Sequence, residues 1–262
     1  MSVTLGGNIF VTGSNRGIGL ELVKHLAQKT PADARIYAGC REPDGANAQA
    51  LRDLTTKHAG KICILKLEMS DEESIASAVR TLSEKVGAGG LNLLINNAAI
   101  AKPPLPGPLK DTSRRDMMDV YETNVAGPFQ LTKMLIPLLQ KAAASSDQGE
   151  EMSCRRSAVV NVSTLGASIQ RLPESYHLAQ LYPYRSSKAA LNMLSSCLAL
   201  ELKGQKTLVV ALHPGWVQTD MGGDMAPLST HDSVQGMIKV MSSLGSKDTG
   251  AFLGWNGEVL PW

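Results

Sequence analysis

Residues 8–19 read NIFVTGSNRGIG. An apolar, β-branched run, Asn8–Thr12, leads into a turn holding Gly13, Ser14, Asn15 and Arg16. A helical pattern follows from Gly17 through Ile18 and Gly19 to Gln28. Strand, glycine turn, helix is the local context a dinucleotide phosphate site needs. Gly13 permits the tight turn. Gly17 and Gly19 let backbone approach a pyrophosphate and let helix pack closely on strand. The helix start turns its dipole and free N–H groups toward the phosphates. The spacing is G-x3-G-x-G, not G-x-G-x-x-G. A glycine turn can also be purely structural, so the flanking strand and helix carry the reading.

The same alternation continues outward. Further strands are predicted at Arg35–Gly39, Lys61–Leu67, Leu91–Asn96, Ala158–Ser163, Thr207–Leu212 and near Ala251–Trp255. Their β-branched residues and flanking turn residues support this. Helices are predicted over Asp71–Val86, Ser113–Ala144 and Pro183–Leu202, with Ser70 as N-cap and Glu73 completing a capping box. Alternating strand and helix predicts an α/β, Rossmann-type, doubly wound seven-stranded parallel sheet, one domain over residues 1–262. Both faces of such strands are covered, which explains their continuous apolar runs. Two stretches are expected to be loops: AAASSDQGEEMSCRR at 142–156, exposed, and the proline-rich KPPLPGPLK at 102–110.

The bulk numbers exclude several classes. The chain has 262 residues, and 43% are hydrophobic, enough for a substantial core. Net charge is +2 and aromatics are 4%, so neither a nucleic-acid binder nor a membrane-surface protein is indicated. No apolar run approaches a membrane span. Cys40, Cys63, Cys154 and Cys197 are scattered and read as reduced, mostly buried thiols. No basic–apolar–small segment opens the chain. A cytoplasmic protein is the expectation. No HExxH motif or carboxylate cluster points to a metal.

Tyr184 and Lys188 lie four apart in YPYRSSKAALNMLSSCLALEL, on one face of a helix. A phenol titrates near pH 10 and is a poor acid at neutrality. A cation beside it lowers that pKa and makes a general acid/base for a carbonyl oxygen. The second strand ends in AGCRE, and Arg41 with Arg16 of the glycine loop could grip a 2′-phosphate. Glu42, next to Arg41, keeps a ribose-hydroxyl contact open. After the fourth strand, NNAA (Asn96, Asn97, Ala98, Ala99) offers small residues against which a flat ring and a ribose can lie. Ser163 ends a strand, where the sites of open α/β sheets lie, though a capping serine would also fit there.

Together TGSNRGIG, NNAA, Asn124 in ETNVAGPF, Ser163 in VVNVST, YRSSK and HPGWVQT resemble the short-chain dehydrogenase/reductase family, in order and over nearly the whole chain. CREPDGANAQAL, GWVQTDMGG and the ending GWNGEVLPW are similar to its sniffer-type, C-factor-like carbonyl reductases. The resemblance implies NADP(H) as cofactor and Tyr184 as acid/base. It implies that Lys188 binds the nicotinamide ribose and lowers the Tyr184 pKa, that Ser163 hydrogen-bonds the substrate carbonyl, and that Asn124 holds a water on a proton relay. It places Glu68 and Met69 at the adenine, and Pro214, Gly215, backbone Val217 and Thr219 at the carboxamide. NNAA replaces the commoner NNAG, and Glu68 stands where Asp is frequent. The Ser163–Tyr184 interval is longer than usual, so 169–181 is expected to form a flap. Tyr176, His177 and Tyr182 in it contact substrate or simply pack.

Trp216, Met221 and Met225 are expected to flank an apolar substrate. His213 reads as structural. The implied function is NADPH-dependent reduction of a small-molecule ketone, aldehyde or quinone by a homo-oligomer, dimer or tetramer. The alternatives are an NAD-dependent alcohol dehydrogenase of the same family and a non-catalytic cofactor-sensing scaffold.

Overall fold

The structure, a computed structural model, describes residues 4–145 and 151–262. Seven strands form one sheet: β1 (Asn8–Thr12), β2 (Arg35–Cys40), β3 (Ile62–Lys66), β4 (Leu93–Asn96), β5 (Ala158–Val162), β6 (Leu208–His213) and β7 (Phe252–Gly254). Their order is β3-β2-β1-β4-β5-β6-β7, every pairing parallel. The order reverses between β1 and β4. There the loops leaving neighbouring strands diverge and open a crevice at the carboxyl ends.

Strand periodicity sends successive side chains to opposite faces, and both are covered. Ile9, Val11, Ile36 and Ile95 pack with α1 (Gly17–Lys29), α2 (Gln49–Lys57) and, near the end of the chain, a helix over Thr230–Met241. Phe10, Tyr37, Leu94 and Val159 face the other way. They meet α3 (Glu72–Val86), the long helix over Gly127–Ser145 and the helix over Tyr182–Leu202. Each fully buried Leu or Ile in these layers contributes roughly 1.5–3 kcal/mol of transfer free energy.

The helix expected over Ser113–Ala144 is broken. It consists of α4 (Arg114–Tyr121), a π-turn over Glu122–Ala126, and α5 (Gly127–Ser145). The wide turn keeps Thr123, Asn124 and Val125 all buried, and such turns concentrate at functional sites. The α3 cap is Asp71, not Ser70. Asp71 Oδ1 accepts from the backbone N–H of Glu73 and Ser74 at 2.9 and 3.1 Å, while the Ser70 hydroxyl donates to Glu68 Oε1 at 3.1 Å. A charged acceptor one residue closer to the helix wins the cap.

The exposed loop expected at 142–156 is also revised, apart from residues 146–150, which lie outside the described residues. The α5 helix runs on to Ser145, and Met152, Cys154 and Arg156 are buried. Of the cysteines, Cys40 and Cys154 are buried, Cys63 is partly covered and Cys197 is exposed. The flap contains a single turn of helix, α6 (Leu172–Ser175), and leads into α7 (Tyr182–Leu202). The Thr230–Met241 helix is α8.

Candidate active site

A cleft of about 1070 Å³ opens at the carboxyl ends of the central strands. At one end the glycine loop forms a backbone cradle. Gly13 has φ +66°, and a Cβ there would meet Ala98 Cα at 2.8 Å. A Cβ on Gly19 would meet Gly13 O at 2.1 Å, so only glycine lets α1 start this close to β1. The NNAA segment locks onto this loop. Thr12 Oγ1 accepts from the N–H of Asn97 and of Ala98, both at 3.0 Å, and Asn97 Nδ2 donates to Thr12 O at 2.9 Å. Arg16 caps α1 with no side-chain hydrogen bond to its first turn, leaving the helix-start N–H groups for a ligand.

Most residues assigned to the cofactor line this cleft: Gly13, Asn15, Arg16, Gly17, Ile18, Gly19, Arg41, Glu68, Met69, Asn97, Ala98, Ala99, Pro214 and Thr219. Ser14 does not. It is fully buried, donates from Oγ to Val11 O at 2.7 Å and from N to Gly39 O at 3.0 Å, and so ties the loop to the sheet. Gly215 and Val217 do not line the cleft either. Ser233 Oγ donates to Pro214 O at 2.6 Å and braces that turn. Both guanidiniums expected at a 2′-phosphate are exposed and carry a carboxylate partner: Arg16 bonds Asp220 at 2.6 Å across the cleft mouth, and Arg41 lies 3.6 Å from Glu68. The residues fit a dinucleotide: a cradle that side chains would fill, free helix-start donors, and two exposed cations where a ribose phosphate would lie.

The other end of the cleft is made of side chains. Ser163, just past the end of β5, and Tyr184 and Lys188 of α7 line it together. Tyr184 and Lys188 share a helix face, with Lys188 Nζ 5.9 Å from the Tyr184 ring centroid. Lys188 is buried and donates from Nζ to Val162 O at 2.7 Å. Burial pushes Lys188 down to about 7 and Tyr184 up to about 12. The expected lowering of the Tyr184 pKa is therefore reversed. Desolvation of the phenolate outweighs a lysine that is itself pushed toward neutrality.

Asn124 does not line the cleft. Its Nδ2 donates to Ile100 O at 2.9 Å and Ser187 Oγ at 3.1 Å, and its Oδ1 accepts from Ile100 N at 2.9 Å. Both amide hydrogens are committed, and one Oδ1 lone pair is what the side chain offers a water.

Of the expected substrate contacts, Met221 lines the cleft, while Trp216 and Tyr176 do not. Trp216 Nε1 donates to Gly222 O at 2.8 Å, and the Tyr176 hydroxyl is 2.6 Å from that of Tyr182. His213 is partly buried, with its pKa lowered to about 4 by desolvation, and Nδ1 accepts from Gly215 N at 3.3 Å.

Two residues matter that sequence reasoning missed. Arg185, next to Tyr184, pins the flap: its guanidinium donates to Ala179 O, Ser175 O, Ser175 Oγ and Gly166 O at 2.7–3.2 Å. Asn192 accepts from Ser163 Oγ at 2.6 Å. For Asn192 a signal existed, since it continues the Tyr184–Lys188 spacing by four. For Arg185 none did, because most of its partners are backbone oxygens, up to 19 residues away.

The fold also gathers Glu21, His25 and His231, a grouping of metal-ligating types outside the cleft chemistry that the sequence did not show. His25 Nε2 lies 3.0 Å from Glu21 Oε1 and 3.1 Å from His231 Nδ1. Lys24 already holds both Glu21 oxygens at 3.1 and 3.2 Å. A metal on His25 Nε2 would also move the ring hydrogen to Nδ1, which is buried without an acceptor. The trio is a hydrogen-bonded tie between α1 and α8.

A glycine cradle at the switch point, with serine, tyrosine and lysine converging beside it, defines a nucleotide-dependent oxidoreductase architecture. Residues 7–227 match the family model for short chain dehydrogenases, and the chain belongs to that family of oxidoreductases. It is similar to the NADPH-bound carbonyl reductase from chicken fatty liver (42% identity, TM-score 0.93, covering 100% of this chain and 96% of that one). It is also similar to the carbonyl reductase Sniffer of Drosophila melanogaster (34%, TM-score 0.90, covering 98% and 100%). The C-signal protein of Myxococcus xanthus is 35% identical over 184 residues, 70% of this chain and 100% of that protein. No described helix is long and apolar enough to cross a membrane.

Proposed function

We propose that this protein reduces a ketone, aldehyde or quinone with NADPH. The observation that carries the reading is one cleft with the glycine cradle, Arg16 and Arg41 at one end and Ser163, Tyr184 and Lys188 at the other. The similar carbonyl reductases support it. When bound, the nicotinamide supplies a hydride to the carbonyl carbon. The chain's own residues do the rest. The glycine loop and the start of α1 hold the pyrophosphate, and Arg16 and Arg41 exchange their carboxylate partners for a 2′-phosphate. Lys188 fixes the ribose. Ser163 and Tyr184 orient the carbonyl oxygen, which turns a bimolecular encounter into a positioned reaction.

Tyr184 gives its proton to that oxygen as the alcohol forms. The phenol, held up to about 12, carries its proton at neutral pH and gives it only as the developing alkoxide becomes the stronger base. The test is NADPH oxidation against a panel of aldehydes, ketones and quinones, with NADH in parallel and Tyr184→Phe as control. Turnover with NADPH that Tyr184→Phe abolishes supports the reading. A clear NADH preference overturns the cofactor assignment, and an unaffected Tyr184→Phe variant overturns the mechanism.

A further inference from the structure

Ser163 is asked to donate a hydrogen bond to the substrate oxygen, yet its hydrogen is already engaged. Oγ donates to Asn192 Oδ1 at 2.6 Å, a separation typical of O–H···O bonds. Both residues are buried, at 2% and 3% exposure, so the pair meets little solvent. The other half of the same amide, Asn192 Nδ2, has no hydrogen-bond partner among the described residues. A buried N–H without an acceptor is rare and costly, and an unpaired carbonyl oxygen is the lesser fault. Asn192 is placed for this by its helix: Tyr184, Lys188 and Asn192 follow one another at intervals of four along one face of α7. The same face also carries Ser195, whose Oγ accepts from Asn161 Nδ2 at 2.8 Å.

We propose that Asn192 is a positioning residue that sets the direction of the Ser163 hydrogen bond. In the resting site the Ser163 hydrogen is parked on Oδ1. A carbonyl oxygen entering the cleft offers Ser163 a second acceptor. A half-turn of the Asn192 amide then places Nδ2 against Oγ, so Ser163 accepts from Asn192 and donates to the substrate. Nitrogen and oxygen exchange places with little movement of the side chain. One hydrogen bond and one stranded donor become two hydrogen bonds and one unpaired oxygen. The exchange delivers a fixed donor to the developing oxyanion, where such donors act most strongly. The inference rests on the reductase reading above.

The test uses the full chain with NADPH and a ketone from the panel that it turns over. Asn192→Asp keeps shape and acceptor but removes the donor, so the Ser163 hydrogen stays parked. Its kcat is expected to fall about 100-fold, as does Ser163→Ala, the range for loss of one oxyanion donor. Adding Asn192→Asp to Ser163→Ala is expected to cost about twofold or less, because both act through one bond. NADPH affinity, from fluorescence titration, should stay within about twofold.

Asn192→Leu, which leaves Ser163 free but unheld, guards against a folding defect and should retain more activity than Asn192→Asp. In protein labelled with 15N-asparagine and carrying NADP+, the Asn192 side-chain amide signal, identified by its loss in Asn192→Asp, should shift when the ketone is added. Full activity of Asn192→Asp, additive losses in the double variant, or an amide signal that ignores the ketone overturns this inference while the reductase reading stands. A wild-type chain that reduces nothing removes both.

Discussion

The two ends of the cleft are built from different materials. The cofactor end centres on backbone: the glycine loop sits so close to Ala98 and to its own Gly13 carbonyl that no side chain fits. The substrate end is side chain, brought from the end of β5 and from α7. The first tolerates little change in shape, because rigid main-chain atoms meet there. The second tolerates shape change but is sensitive to which polar atom faces which. A substitution should therefore fail by packing at one end and by chemistry at the other.

Replacing Tyr184 with Phe tests the chemical end and has the largest expected effect. Loss of a general acid should lower kcat by about 10²–10⁴-fold, with NADPH affinity and thermal stability close to wild type, measured by steady-state kinetics and calorimetry. Gly19→Ala tests the packing end. Its Cβ would sit 2.1 Å from Gly13 O, so both stability and NADPH affinity should drop, the former by about 1–3 kcal/mol in denaturant titration. A variant of full stability and affinity would show that the cradle gives way more easily than its geometry implies.

Arg41→Ala sharpens the cofactor assignment. One lost charge-assisted hydrogen bond should raise the Kd for NADPH about tenfold and leave that for NADH unchanged. Equal effects on both would remove Arg41 from the 2′-phosphate. Arg185→Met frees the flap while leaving the Tyr184 side chain in place. The expected result is faster proteolytic nicking within 169–181 and a few-fold rise in KM for bulky ketones only, since interior contacts near the cofactor are untouched.

The smallest effect is a pH slope. Lys188 keeps its proton up to about 10.5 when unfolded but only to about 7 when folded. Between those values the unfolded chain binds more protons, so stability rises with pH. The clean window is about pH 7–8, before the Cys154 thiol and Tyr184 phenol ionise appreciably in the unfolded chain. Lys188→Met should flatten this rise in urea titrations. An unchanged slope would show that another group causes it.

Legibility followed the same division. The glycine loop could be read because strand, turn and helix are contiguous and each glycine answers a local steric demand. The seven strands were readable because both faces are covered and their runs are nearly all apolar. Helix ends were less so. Asp71 displaced Ser70 as cap by position and charge, and the π-turn around Asn124 depends on burial of Thr123, Asn124 and Val125, which no local pattern encodes. The Tyr184–Lys188 spacing put both side chains on one face correctly, but spacing carried no information about dielectric. Burial reversed the expected direction of the Tyr184 pKa.

By itself, then, the sequence determined the fold class, the place of the phosphate cradle and the identity of the polar groups at the switch point, since these follow from short-range periodicity and backbone sterics. Tertiary structure alone decided which atoms those groups face. It spent both hydrogens of the Asn124 amide on Ile100 and Ser187, paired Arg16 with Asp220 across the cleft, stapled the flap through Arg185, and set Ser163 against Asn192. Hydrogen-bond direction and protonation depend on burial and on partners far away in the chain, and both exist only once the chain has packed.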